Sequence, residues 1–153
     1  MPNVNIIIGE GQTGKSRIIR ALTGASIGRK KIYLIGTENR GIIKAYVQVR
    51  SLQEAGIKPE KFVNDVGRET CDDVLVALRI FPKITNGKTY PDGAAYMNYF
   101  LNNARWKIKH IVLLEADTIP NRPEDTPRPM LLQTSGVPSN TLASQIRQIW
   151  RWL

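Results

Sequence analysis

Residues 9–16, Gly9-Glu10-Gly11-Gln12-Thr13-Gly14-Lys15-Ser16, constrain this chain more than any other stretch, because they match the pattern G-x-x-x-x-G-K-[ST] at every fixed position. Such a run works only between a buried strand and a helix. Both flanks are present. Asn3-Val4-Asn5-Ile6-Ile7-Ile8 is a short β-branched apolar run of the kind that makes a buried parallel strand. After the loop, residues 16–22 carry apolar pairs at helical spacing, and Gly24 supplies a stop. The glycines let the backbone turn its N–H groups toward a phosphate, and the helix start adds the positive end of its dipole. The pattern predicts that Gly9 to Ser16, with Arg17 in the first helical turn, bind ATP or another nucleoside triphosphate. Lys15 would reach the β- and γ-phosphates, and the Ser16 hydroxyl would hold Mg²⁺.

A length of 153 residues suits one domain, 1–153, with room for a core. No run of eighteen apolar residues and no signal-peptide pattern is present, which predicts a cytoplasmic protein without a membrane partner. The single cysteine, Cys71, has no partner for an intramolecular disulfide and reads as a small buried apolar residue. A net charge of +9 says that the surface attracts polyanions, beyond what nucleotide phosphates require. Because Lys and Arg are spread along the chain, a nucleic-acid contact and a plain solubility charge both remain open.

Beyond the loop, Arg29-Lys30-Lys31 precedes a second buried-type strand over 32–36, which ends at Thr37-Glu38-Asn39-Arg40. Charged residues at the C-terminal end of a strand belong to the ligand-facing edge of an open α/β sheet. Residues 42–52 read as a helix closed by Gly56 and Pro59, 61–66 as a third strand, and 71–78 as a helix. Pro82, Asn86-Gly87 and Pro91-Asp92-Gly93 make 82–93 a turn or small excursion. Asp92 is placed to cap a helix from Ala94 to about Arg105, with Tyr96, Tyr99 and Phe100 on one face. The fourth strand, 110–114, runs into Glu115-Ala116-Asp117, so an acid stands where a second Mg²⁺-side group is needed. His110 enters that strand at the far end and reads as structural. A Pro-rich loop follows over 118–140, and a closing helix over 142–153 carries Leu142, Ile146, Ile149, Trp150 and Leu153 as an apolar stripe.

With the loop, the Glu-ending second strand and the acid-ending fourth strand in that order, the chain resembles the RecA-like branch of P-loop ATPases. The resemblance implies a three-layer α/β fold with a mainly parallel sheet, lacking the last strand of the family core. It also implies that Glu38 activates the attacking water and that Lys15 is catalytic through the γ-phosphate. By the same likeness Asn39 and Arg40 are candidate γ-phosphate sensors, and Glu115 or Asp117 is the second acid on the metal side. The 118–140 segment falls where recombinases of this branch place a DNA-contacting loop, which makes Arg122 and Arg128 candidate phosphate contacts for single-stranded DNA. Small relatives of this kind are encoded by bacteriophages, and a ring or filament of identical subunits is implied by analogy. Two other readings stand beside the DNA-dependent ATPase. One is a small P-loop kinase or nucleotide-dependent transferase with an arginine-bearing lid over 118–130. The other is a nucleotide-binding assembly protein or packaging motor without independent turnover.

Overall fold

The computed structural model describes residues 1–25 and 30–153; Arg29, read as part of the basic run before the second strand, lies outside the described residues. In chain order the elements begin with β1 (Asn3–Ile8), α1 (Lys15–Thr23), β2 (Ile32–Gly36), β3 (Ile42–Gln48) and α2 (Leu52–Ala55). They continue with α3 (Pro59–Gly67), β4 (Asp73–Leu78), β5 (Lys83–Thr85), β6 (Lys88–Tyr90) and α4 (Gly93–Asn102). The last three are β7 (Lys107–Leu114), β8 (Met130–Leu132) and α5 (Ser139–Trp150).

Six strands form one sheet in the order β2-β3-β4-β1-β7-β8, and β5 and β6 form a separate hairpin. β1 is parallel to β4 on one side and to β7 on the other, with Ile6 opposite Val76 and Ile111. Only β2 runs against the rest, antiparallel to β3. The apolar run Ile6–Ile8 of β1 follows from cover on both faces. Ile7 turns to one face, where Ile18, Ile19 and Leu22 of α1 meet Leu142, Ala143 and Ile146 of α5. Val4, Ile6 and Ile8 turn to the other, against Phe62 and Val66 of α3 and Tyr96, Met97 and Phe100 of α4. This gives an α/β architecture with helices on both sides of a mainly parallel sheet. Among the described residues no helix is long and apolar enough to cross a membrane.

Several sequence expectations hold at the level of elements. β1, α1, β2, β7 and α5 fall within about three residues of where the patterns put them, and the 82–93 excursion is a hairpin of β5 and β6. The Asp92 side chain caps α4 by accepting from the Ala95 N–H at 2.9 Å. Tyr96 and Phe100 are fully buried, and Tyr96 Oη donates to Ile57 O at 2.6 Å.

The stretch between β2 and the hairpin is a correction. Residues 42–48 are strand, not helix; 59–67 are helix, not strand; and 73–78 are strand, not helix. Exposed Ile42 and Lys44 alternate with buried Ile43 and Ala45, which is the two-residue period of a strand. In α3, Pro59 sits in the first turn, and Phe62 and Val66 share the buried face one turn apart. β4 is buried at every position, and a short run covered on both faces has no periodicity to separate strand from helix. A second correction concerns the Pro-rich segment: β8 lies inside 118–140 and pairs in parallel with β7.

His110, in β7, lies stacked on Trp150 of α5, with ring centroids 5.3 Å apart. Burial pushes its pKa down to about 4; Lys109 and Arg40 act in the same direction, and Asp73 opposes them. The folded protein therefore keeps the imidazole neutral where an unfolded chain, with a value near 6.5, takes up a proton. Stability attached to this residue is present above about pH 6.5 and is lost as the pH falls toward 4. Chemical denaturation across that window is expected to show a smaller decline for His110→Gln than for the wild type.

Candidate nucleotide-binding site

Gly9 follows β1 at a point with no room for a side chain: a Cβ there would meet Thr13 Oγ1 at 2.7 Å and Leu114 Cβ at 3.0 Å. The chain then turns through Gln12 and Gly14, whose φ angles of 62° and 92° are left-handed, and α1 starts from Gly14. Internal bonds brace the turn. Thr13 Oγ1 donates to Glu10 O at 2.7 Å. Lys15 Nζ donates to Gly9 O and to Glu10 O, each at 2.9 Å, so its ammonium is held inside the loop by two carbonyls. Only 6% of Lys15 is exposed. Burial lowers its pKa; Glu54 resists that shift and the Arg79 charge adds to it. An anion arriving at the loop supplies the counter-charge that carbonyls do not.

The loop is tied to its neighbours by charge. Glu10 Oε1 accepts from the Phe81 N–H at 2.8 Å, and Glu10 Oε2 pairs with Arg79 Nη2 at 2.7 Å. Arg79 is the residue after β4, and its Nη1 pairs with Glu54 Oε1 of α2 at 3.3 Å. That same Nη1 lies 3.0 Å from where a Cβ of Gly11 would stand, so the guanidinium rests against the loop. α2 is fixed in turn, since Gln53 Oε1 accepts from the Arg79 N–H and Gln53 Nε2 donates to Arg79 O, both at 3.0 Å. Gln53 is fully buried, which makes this clasp rigid.

Two clefts open on the loop. The first, about 400 Å³, is bounded by Gln12, Gly14, Lys15, Ser16, Ser51 and Glu54. Ser16 Oγ donates to Val49 O at 3.3 Å on this flank. The second, about 520 Å³, lies between the loop with Arg17 and Ile18 on one side and residues 134–139 on the other. The end of β3 borders the first cleft and the end of β8 borders the second, because β4 and β7 stand on opposite sides of β1.

The other residues singled out from the sequence are scattered. β2 is antiparallel, so its C-terminal end lies at the edge of the sheet opposite the loop, and Glu38, Asn39 and Arg40 go with it. Glu38 is exposed there, and its N–H donates to Arg151 O at 2.9 Å. Arg40 pairs with Asp73 at the start of β4. These placements correct the expectation that Glu38 and Arg40 meet the γ-phosphate. Glu115 does end β7 at the loop's edge, but its Oε1 accepts from the Thr134 N–H, Thr134 Oγ1 and the Ser135 N–H. Those bonds hold its pKa low and commit it to the 134–135 turn, on the flank away from Val49, Ser51 and Glu54. Asp117 is exposed two residues on. Arg122 Nη1 donates to Thr126 Oγ1 at 2.8 Å and to Pro127 O at 3.2 Å, which engages it within its own loop; Arg128 is exposed.

Ser51 and Glu54 line the cleft beside Lys15 and Ser16, and Arg79 lies against Gly11, three residues not singled out from the sequence. The signal for Arg79 was available: it follows the five-residue apolar run Val74–Leu78, and a charged residue at that position marks the ligand edge once the run is read as a strand. Comparison of the chain with protein-family models, with curated proteins and with solved structures finds no match in any of the three.

Proposed function

We propose that this protein binds a nucleoside triphosphate with Mg²⁺ at residues 9–16 and hydrolyses its terminal phosphate. The observation that carries the reading is Lys15: a buried ammonium that donates to two loop carbonyls, at the mouth of a strand–loop–helix turn that fits the phosphate-binding pattern throughout. The phosphates lie along the loop and the start of α1, and the cleft beside residues 134–139 receives the nucleoside. The Ser16 hydroxyl opens into the cleft that the Glu54 carboxylate also lines, and it is the oxygen that would hold Mg²⁺. No group of three or more His, Cys, Asp or Glu side chains is gathered among the described residues; phosphate oxygens and water would complete the ion's shell. When bound, Mg²⁺ neutralises phosphate charge. Lys15 holds the phosphates in line, and Glu54 accepts proton density from the attacking water.

The ATPase reading keeps the class that the loop suggested, with Glu54 as the acid in place of Glu38. A nucleic-acid partner belongs to the same proposal and draws on the net charge of +9. ATP turnover, measured with and without single-stranded DNA, tests both parts. Glu54→Gln is expected to lower turnover by about 100-fold or more while nucleotide affinity stays within a few-fold. Glu38→Gln is expected to leave turnover unchanged. Stimulation by DNA that fades steeply with added salt supports the polyanion contact, and a flat salt response returns the charge to a solubility role.

A further inference from the structure

Arg79, a residue outside the loop pattern altogether, is the first residue after β4. It rests against Gly11 and is shared between two carboxylates, Glu10 at 2.7 Å and Glu54 at 3.3 Å. The two pairings are unequal. The Glu10 pair is the shorter and joins Arg79 to the loop itself, whose Glu10 also accepts from the Phe81 N–H. The Glu54 pair is longer, and Glu54 itself lines the cleft that Lys15 and Ser16 open into. Arg79 Nε is buried and has no partner among the described residues, so the guanidinium holds an unused donor beside the loop. The backbone beneath it does not yield: Gln53 clasps both the N–H and the carbonyl of residue 79. A Cβ at Gly93 would come within 2.7 Å of that carbonyl, which shows how closely α4 backs it.

Resting on the nucleotide reading above, we propose that Arg79 is the terminal-phosphate sensor of this site. The γ-phosphate of a bound triphosphate takes the guanidinium from Glu54, while Glu10 keeps its hold. Phosphate competes well here because it carries more charge than a carboxylate and offers oxygens on several sides to a planar fork. A diphosphate ends on the loop and Lys15, short of Glu54 and Arg79, and leaves the resting pair intact. The exchange also frees Glu54 only when a γ-phosphate is present, which places an unpaired carboxylate beside the phosphate that is to be attacked. Arg79 thereby distinguishes substrate from product.

The test titrates wild type, Arg79→Ala and Arg79→Lys with ADP and with a non-hydrolysable β,γ-imido analogue of ATP, each with Mg²⁺, alongside thermal unfolding of each variant. Arg79→Ala is expected to bind the triphosphate analogue at least tenfold more weakly and ADP within twofold of wild type. Arg79→Lys should fall between the two on the triphosphate alone, and it answers the same question if the alanine variant does not fold. Parallel loss on both nucleotides, or no loss on either, overturns the sensor role and leaves nucleotide binding standing. Wild-type protein that binds neither nucleotide overturns the nucleotide reading itself.

Discussion

Arg40→Ala destabilises the fold by about 3 kcal/mol and leaves nucleotide affinity unchanged. Asp73 is fully buried at the start of β4. Its two oxygens accept from Arg40 Nη1 at 2.7 Å and Nη2 at 3.0 Å, and Asn5 Nδ2 of β1 adds a third bond at 3.0 Å. Removing the guanidinium leaves a carboxylate in the sheet with one neutral donor, and an uncompensated buried charge costs far more than the pair contributes. Arg40 keeps 28% of its side chain in solvent, so water enters part of the gap and holds the loss to the lower end of the usual range. Urea denaturation measures the loss. Replacing both partners with apolar residues, as in Arg40→Met with Asp73→Leu, is expected to recover most of it. Unchanged affinity is the second half of the result, because Arg40 stands at the edge of the sheet opposite the loop. A γ-phosphate sensor at this position requires the reverse pattern: intact stability with weakened triphosphate binding.

The misplacement of Arg40 and Glu38 shows what the sequence made legible and what it concealed. Strand β1, the loop and α1 were readable because three independent signals agree there: apolar run, glycine spacing and helical period. The Asp92 cap and the Tyr96–Phe100 face were readable for the same reason. Strand direction carries no such signal in residue type. It is set by the connection, and only a few residues join β2 to β3, too few for the crossover that parallel strands need. The turn is tight: Gly41 has φ 67°, and Thr37 Oγ1 donates to Gly41 O while accepting from the Arg40 N–H. Reading 42–52 as a helix hid that hairpin, and one early error moved the following two assignments out of step. The site suffered with the fold, since Glu54 and Arg79 sit just beyond the two misread strands. Glu115 is a different case. Its position beside the loop was legible, but its three bonds to Thr134 and Ser135 depend on β8, a three-residue strand inside a Pro-rich stretch.

Lys15→Ala produces the largest loss of nucleotide affinity. The ammonium is already desolvated and folded onto Gly9 O and Glu10 O, so little further ordering is needed when phosphate arrives. A charge-assisted bond of this kind contributes about 1.5–3 kcal/mol, which corresponds to roughly 10–100-fold in affinity. The side chain also neutralises phosphate charge in a partly desolvated site, so the loss belongs at the upper end of that range. Thr13 Oγ1 still closes onto Glu10 O in the variant, and the Glu10 pair with Arg79 is untouched, so the loop keeps its anchors and the fold survives.

Calorimetric titration of wild type and Lys15→Ala with Mg²⁺ and the β,γ-imido analogue of ATP tests the central claim most directly. Saturable binding at one site by the wild type, weakened at least tenfold in a Lys15→Ala variant that unfolds at the same denaturant concentration, is the predicted result. Equal affinity in the two proteins, or no binding by the wild type, contradicts the assignment of residues 9–16 as a nucleotide site.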